Sequence, residues 1–347
     1  MAKRSTSILS TLLFLVLIGA AIVFYFYNRI FSANVVTPNN NEAVFIPSGA
    51  SLNEVANLLE NNNQIKDRAS FIWTAEKMNY KDQMVKGGKY EIHSGWSNRD
   101  LVTQLRSGNQ TPVKVTFNNV RFLYELAPKI AEQLEFTEDE FLSALADTAN
   151  INALGYTPET LISMFIPNTY EMYWNTDAKS FIKRMELEHK KFWSKNDRVR
   201  KAREKGMSPL QVYTLASIVE KETQKNDEKP RLAGVYVNRL KRGIPLQADP
   251  TVVFANGDFG IRRVLYKHLE KDSPYNTYIN KGLPPGPIYM PNIQSIDAVL
   301  NCEDHQYLFF CAKTDGSGYH TYAKTLAEHN RNAAKFHSYL NGRKIKN

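Results

Sequence analysis

The sequence predicts an α+β fold tied to a membrane by one N-terminal helix. Three observations carry that expectation. The chain opens with an uncharged run, Ser5 to Asn28, whose apolar core spans Ile8 to Tyr27. That is about the length needed to cross a bilayer as a single helix. Beyond it, strand-like and helix-like stretches follow one another without regular βα alternation, which argues for α+β rather than a doubly wound sheet. The full 347 residues leave room for about two domains outside the span.

The N-terminal run reads as an uncleaved anchor. A cleaved signal peptide has an apolar core of roughly 7–15 residues before a small-residue cleavage site. Here the run continues past Gly19-Ala20-Ala21 to Tyr27. Lys3 and Arg4 precede it and favour a cytoplasmic N-terminus, with Arg29 weakening the asymmetry without reversing it. Tyr25 and Tyr27 suit an interfacial belt. Residues 1–7 are therefore expected in the cytoplasm, 8–27 in the membrane and the rest outside the cytoplasm. The polar, Asn-rich stretch within 28–42 reads as a linker.

An imperfect repeat follows. "IPSGASLNEVANLLENNN" begins at Ile46 and "IHSGWSNRDLVTQLRSGN" at Ile92. Each copy reads as a strand end, a Gly turn, a Ser N-cap and a helix. Ser51 and Glu54, like Ser97 and Asp100, have capping-box spacing. The helix-like "RASFIWTAEKMN" lies between them. Together they predict a small α/β module over 43–116. Duplicated scaffolding without a ligand explains the repeat as well as a binding role does.

The remainder, 117–347, is expected to form a larger α+β domain. Apolar spacing at Leu123, Leu126, Ile130 and Leu134, then Phe141, Leu142 and Leu145, predicts helices, the second capped by Thr137. Pro167-Asn168 reads as a turn. The charged stretch from Asp177 to Lys205 has helical spacing. Ser208-Pro209 opens another helix, with serine as N-cap and proline at the first position. A further helix ends at Gly243, and a loop or extended segment then carries Gln247, Asp249 and Thr251. A Pro-, Gly- and Asn-rich loop region follows. "YLFFCA" and "YHTYA" predict strands around the turn "KTDGSG", and a helix runs from about Thr325 to Leu340.

The formal charge is +9 and the pI near 9.2. A basic balance suggests an anionic partner. The local cluster "KNDRVRKAREK" reads more readily as a solvated helix face than as a binding stripe. Nucleic acid fits poorly with a chain whose bulk lies across a membrane. No zinc-ligand spacing, Walker loop or dinucleotide fingerprint is present, so no cofactor or metal is expected. Cys302 and Cys311 could pair outside the cytoplasm, and a buried thiol at Cys311 is an equal alternative.

The helix containing "TLASIVEKETQK" carries two glutamates. Counted at 100° per residue, Val212, Leu215, Ala216, Ile218 and Val219 form an apolar stripe. Glu222 falls near its centre and Glu220 at its edge. A glutamate in an apolar centre needs a cationic partner. One at the rim of a cleft can be partly desolvated, stay protonated and act as an acid. Periodicity does not choose between catalysis and a plain exposed residue for Glu220.

The ordered series "LASIVEKET", "VYVNRLKRGIPLQADPTV", "PYNTYINKGLPPGPI" and "GYHTYAKTLAEHN" resembles the membrane-anchored endolytic murein transglycosylases, the MltG/YceG-like family. The resemblance spans nearly the whole chain. It implies a LysM-like module at 43–116 and a transglycosylase domain at 117–347. It implies Glu220 as the catalytic acid, with Glu222 in a supporting role. It also implies an enzyme, a lyase, that cuts the MurNAc–GlcNAc β-1,4 bond inside nascent glycan strands and leaves 1,6-anhydro ends. Expected substrate-binding residues are Gln247, Asp249 and Thr251 in "QADPT" and Asn276, Thr277 and Tyr278 in "YNTY"; Asn238 and His320 are weaker candidates. Ordinary turn chemistry explains the "QADPT" and "YNTY" residues equally well. Implied partners are peptidoglycan strands, the bacterial inner membrane with a periplasmic catalytic domain, and peptidoglycan synthases or division and elongation proteins. The chain departs from the family at "PNTY", where Asn168 stands in place of an aspartate. A hydrolase using Glu220 with Glu222 or Asp249, and a non-catalytic peptidoglycan-binding scaffold, are the alternatives.

Overall fold

The computed structural model describes residues 2–38 and 40–342, with side chains from residue 9 to 339. The Lys3 and Arg4 side chains, on which the expected orientation rests, and residues 343–347 lie outside that description. Among the described residues, helices and three two-stranded sheets are present, an α+β composition. It divides into two compact units.

The first unit comprises Met1–Val115, Gln133–Phe136 and Tyr170–Asp177. Helix α1 (Ala2–Phe31) opens it. Its Leu9–Phe31 portion is long and apolar enough to cross a membrane. Strand β1 (Asn41–Ile46) is followed by α2 (Leu52–Asn61), α3 (Arg68–Lys77), β2 (Gly88–His93) and α4 (Asn98–Ser107). β1 and β2 pair antiparallel, Ile46 opposite Gly88 and Asn41 opposite His93. Both capping boxes form: Ser51 with Glu54 on α2, Ser97 with Asp100 on α4. The matched glycines of the repeat, Gly49 and Gly95, have φ of 80° and 84°, a left-handed backbone that disfavours other residues. Val44, Ile46, Val55, Leu59, Phe71, Tyr90, Ile92, Leu101 and Leu105 close a core of their own.

The stretch read as a linker is part of this unit's packing. Asn34, Val35 and Thr37 are buried. The Val35 N–H bonds the Trp96 carbonyl at 2.9 Å, and the Val36 N–H bonds the Gln64 carbonyl at 2.9 Å. The Asn34 amide donates to Asn98 Oδ1. The backbone here finds partners in the segments leading into α3 and α4, so it does not run as a free spacer. The end of α1 is held too: the Arg29 carbonyl accepts from Thr74 Oγ1 at 3.1 Å and Asn98 Nδ2 at 2.8 Å.

The second unit comprises Thr116–Glu132, Thr137–Thr169 and Ala178–Asn347. Strands β3 (Val113–Phe117) and β4 (Asn168–Met172) each have residues in both units; the other elements of the second unit are, in chain order, α5 (Ala127–Ala131), α6 (Glu138–Ala146), α7 (Thr148–Ala153), α8 (Ala178–Ser194), α9 (Arg198–Glu204), α10 (Pro209–Glu222), α11 (Lys229–Lys241), α12 (Asp249–Asn256), α13 (Tyr266–Leu269), α14 (Ile293–Leu300), β5 (Phe309–Ala312), β6 (His320–Ala323) and α15 (Leu326–Gly342). β3 pairs with β4, so Asn168 begins a strand where a turn was expected. The charged stretch from Asp177 breaks into α8 and α9 at Asn196 and Asp197, both with positive φ. β5 and β6 pair antiparallel, and α15 packs on them. Cys302 and Cys311 are unpaired thiols.

Helix α10 lies at the centre. Ser208 caps it with Gln211 as the reciprocal partner, and Pro209 takes its first turn. Every residue from Val212 to Glu220 is buried, against α9, α11, α12 and α14. The helix is buried all round, not along one stripe. A helix surrounded on all sides buries its polar residues too, so each must find a hydrogen-bond partner. Tyr213 donates to the Ile162 and Phe165 carbonyls. Ser217 accepts from the Ile288 N–H at 3.0 Å.

Candidate active site

The two glutamates of α10 occupy opposite environments from those inferred by periodicity. Glu220 is 6% exposed. Its Oε2 takes the Lys229 ammonium at 3.1 Å and the Ser295 hydroxyl at 2.5 Å. Its Oε1 takes Asn292 Nδ2 at 2.9 Å, and the Asn292 backbone N–H reaches Oε2 at 3.4 Å. Lys229 is itself 2% exposed and begins α11, while Asn292 occupies the position just before α14 without capping it through its side chain, and Ser295 lies in that helix's first turn. Glu220 thus clips α10 to the N-termini of two neighbours, where helix dipoles favour a negative charge. Its oxygens are engaged by donors from the protein, a set suited to an acceptor rather than to a proton donor.

Glu222 ends α10, just before the chain leaves the helix at an extended Thr223. It lines an open cleft of about 900 Å³ and an adjoining recess of about 210 Å³; the larger volume is in the range of ligand sites. Oε1 accepts from Tyr236 Oη at 2.5 Å. Oε2 has no protein hydrogen-bond partner among the described residues. Burial pushes the carboxyl up to about 7; the negative charge of Asp249 adds to the rise, and the Tyr236 hydroxyl opposes it. Such a group is protonated in a large fraction of molecules near neutrality, as a general acid requires.

The expected binding residues separate into two sets. Gln247, Asp249 and Tyr278 line the recess beside Glu222. Tyr278 Oη donates to Asp249 Oδ1 at 2.6 Å. Burial raises the Tyr278 hydroxyl well above its ordinary range, and its bond to Asp249 adds to this, so it stays a donor. Gln247 has φ of 52°, and its Oε1 accepts from Arg239 Nη2 at 2.8 Å. Thr251, Asn276 and Thr277 are buried and serve as framework. Thr251 and Thr277 share a 2.8 Å hydroxyl contact, and Thr277 Oγ1 accepts from the Ala248 N–H. Asn276 donates to the Leu269 and Lys271 carbonyls. Their hydrogen bonds hold the turn that presents Gln247, Asp249 and Tyr278. Asp249 and Thr251 lie on α12, not in a loop, because Asp249-Pro250 suits a helix's first turn.

Asn238 and His320 lie elsewhere. Asn238 bonds the His305 and Tyr307 carbonyls. His320 contacts Glu228 through its backbone N–H and Nδ1. Asn168 is exposed and accepts from the Thr169 N–H. Sequence reasoning missed Tyr236 and Arg239 on α11 and His329 on α15, which all meet at Glu222 or the recess. The motif "VYVNRLKRG" contains the first two, but helical periodicity alone assigns them no role.

A desolvated carboxyl beside a second carboxylate and two tyrosines, in a cleft open to solvent, is the kind of arrangement that general acid–base enzymes use. The chain belongs to the YceG-like family, which it matches over residues 44–335. It is 32% identical over 313 residues to an endolytic murein transglycosylase of Bacillus subtilis, covering 85% of each chain. An endolytic murein transglycosylase of Streptococcus pneumoniae is 30% identical over 361 residues; the match covers 94% of this chain and 64% of that protein's length. The crystal structure of a yceG-like protein from Listeria monocytogenes superposes with a TM-score of 0.54 at 29% identity, covering 84% of this chain and 99% of the other.

Proposed function

We propose that this protein is an endolytic murein transglycosylase anchored in the bacterial inner membrane, with Glu222 as its general acid. The observation that carries the assignment is the Glu222 carboxyl: desolvated, raised to about 7 and lining the cleft. Glu220, the residue implied by motif resemblance, is held by Lys229, Asn292 and Ser295 in the interior. The proposal therefore moves the acid two residues along the helix and makes Glu220 its structural support.

Protonated Glu222 donates to the glycosidic oxygen between N-acetylmuramic acid and N-acetylglucosamine. The bond to C1 of the muramic residue breaks, and positive charge develops there. Ionised Glu222 then accepts the proton of the C6 hydroxyl, whose oxygen attacks C1. The product is a 1,6-anhydro end, and no water is consumed. Tyr236, donating to Glu222, stabilises the carboxylate between the two transfers. Asp249, held by Tyr278, places negative charge where C1 becomes positive. Gln247, fixed by Arg239, offers an amide to sugar hydroxyls. General acid–base help of this kind contributes on the order of 10²–10⁴-fold.

Residues 1–7 are placed in the cytoplasm and the catalytic unit on the outer, periplasmic side, as the charge flanking α1 favours. The 43–116 module is read as LysM-like and glycan-contacting; a groove of about 380 Å³ lined by Ser48, Glu54, Asn57 and Asn61 supports that reading. An enzyme that terminates strand elongation would work beside peptidoglycan synthases, its proposed partners. Mass spectrometry of digested murein tests the reaction, with anhydro ends expected. Reducing ends would instead favour a two-carboxylate hydrolase, for which Glu222 and Asp249 share the cleft. Glycan binding with no products would favour a scaffold.

A further inference from the structure

One wall of the catalytic cleft is cationic. Arg121, Lys221, Arg262 and Arg263 line the same cleft as Glu222. They come from separate parts of the second unit: the segment after β3, helix α10 and the loop between α12 and α13. None of them takes part in an ion pair among the described residues. Arg121 lies over the Phe259 ring at 3.7 Å, and Lys221 over the Tyr289 ring at 4.6 Å. Both are thereby held in place on aromatic faces. Burial lowers the Lys221 ammonium, and the Arg121 charge lowers it further, so these cations repel one another. Arg262 and Arg263 are exposed to solvent at the mouth of the cleft. The carboxylates on the lining are Glu222 and Asp249. Glu222 is largely proton-bearing below about 7, and Asp249 is engaged by Tyr278.

Mutually repelling cations gathered in a substrate cleft create a potential that concentrates an anion there. The glycan backbone of an intact murein strand is uncharged, because each muramic lactyl group is tied up as an amide to its peptide stem. The carboxylates along the strand interior belong to the stems. Arginine's planar fork matches a carboxylate with two parallel hydrogen bonds. We infer that the wall formed by Arg121, Lys221, Arg262 and Arg263 binds stem-peptide carboxylates and makes the enzyme select strands that carry them. The inference rests on the transglycosylase reading of the cleft. A pyrophosphate at a strand's lipid-linked end has the same anionic chemistry. An internal cut favours the stems, which recur at every muramic residue while the pyrophosphate occurs once.

The test uses the full chain in detergent and fluorescent, chemically defined glycan oligomers. One set bears stems with free carboxylates; the other bears the same stems converted to carboxamides; a third carries a terminal pyrophosphate with amidated stems. Binding is read by anisotropy and cleavage by mass spectrometry. The parent should bind the free-carboxylate oligomer at least roughly tenfold more tightly than the amidated one, the loss expected for one charge-assisted hydrogen bond. The preference should weaken as salt rises. The exposed pair Arg262→Ala and Arg263→Ala should abolish most of it, mainly through KM, with an unchanged melting temperature and little effect on the amidated oligomer. Equal binding of free and amidated stems by the parent overturns the inference. Tighter binding of the pyrophosphate oligomer than of the free-stem oligomer also overturns it, assigning the wall to the strand end. Stem-selective binding without any cleavage upholds the anion site and defeats the transglycosylase reading instead.

Discussion

Replacing each glutamate of α10 with glutamine separates their roles. Glu220→Gln removes the carboxylate that faces the Lys229 ammonium at 3.1 Å, in a site where the two side chains are 7% and 3% exposed. Breaking a buried pair from one side costs about 3–5 kcal/mol, because the remaining charge is left uncompensated. The new amide NH₂ would also oppose a donor, Asn292 on one side or Ser295 and Lys229 on the other. For a unit of this size, the melting temperature should fall by roughly 6–20 °C. Glu222→Gln behaves differently. Its carboxyl titrates near 7 in the folded chain against 4.5 ordinarily, so the folded state holds the proton more tightly than the unfolded one. Stability is then full below about 4.5 and is lost as pH rises through about 7. At pH 8 the ionised carboxylate costs on the order of 3 kcal/mol. Glutamine never ionises, so Glu222→Gln should melt above the parent at pH 8, and the difference should vanish toward pH 4.5. Its turnover should fall by roughly 10²–10⁴-fold. Calorimetry at the two pH values and anhydro-product counts measure both effects. Retained turnover in Glu222→Gln, together with an inactive Glu220→Gln of unchanged melting temperature, would refute the reasoning and return the acid to Glu220.

Three further outcomes are expected. Tyr236→Phe removes the donor that holds the Glu222 carboxyl down, so the alkaline limb of the pH–rate profile should move to higher pH; a shift to lower pH contradicts the arrangement. Thr251→Val deletes the hydroxyl shared with Thr277 and Ala248 and should cost about 1–3 kcal/mol, measurable by denaturant unfolding. A direct sugar contact would instead leave stability intact and raise KM alone. A chain lacking residues 1–24 loses most of the apolar portion of α1 while keeping the Arg29 carbonyl that binds Thr74 and Asn98. It should move from the membrane to the soluble fraction on centrifugation, with the first unit still folded by circular dichroism.

Local chemistry was largely readable from the chain. Ser51, Ser97, Thr137 and Ser208 announce helix starts because a capping side chain acts on its own first turn, and all four caps form. The strands "YLFFCA" and "YHTYA" pair where expected. The "QADPT" and "YNTY" motifs do come together, but which members face the cleft was not legible. Adjacent residues in a turn look alike in sequence, while burial divides Thr251, Asn276 and Thr277 from Gln247, Asp249 and Tyr278.

The sequence by itself determined the membrane-length helix, the duplicated caps and turns, and the family series of motifs, all of which rest on neighbours within a few residues. Tertiary structure alone decided which glutamate lines the cleft and which is buried between helices. Periodicity treats a helix as having one buried face, and α10 has none exposed from Val212 to Glu220. Lys229, Asn292 and Ser295 reach Glu220 from two other helices, and Tyr236 reaches Glu222 from across the fold. A carboxyl's proton affinity is set by the groups that surround it in space, and those arrive only when the helices pack.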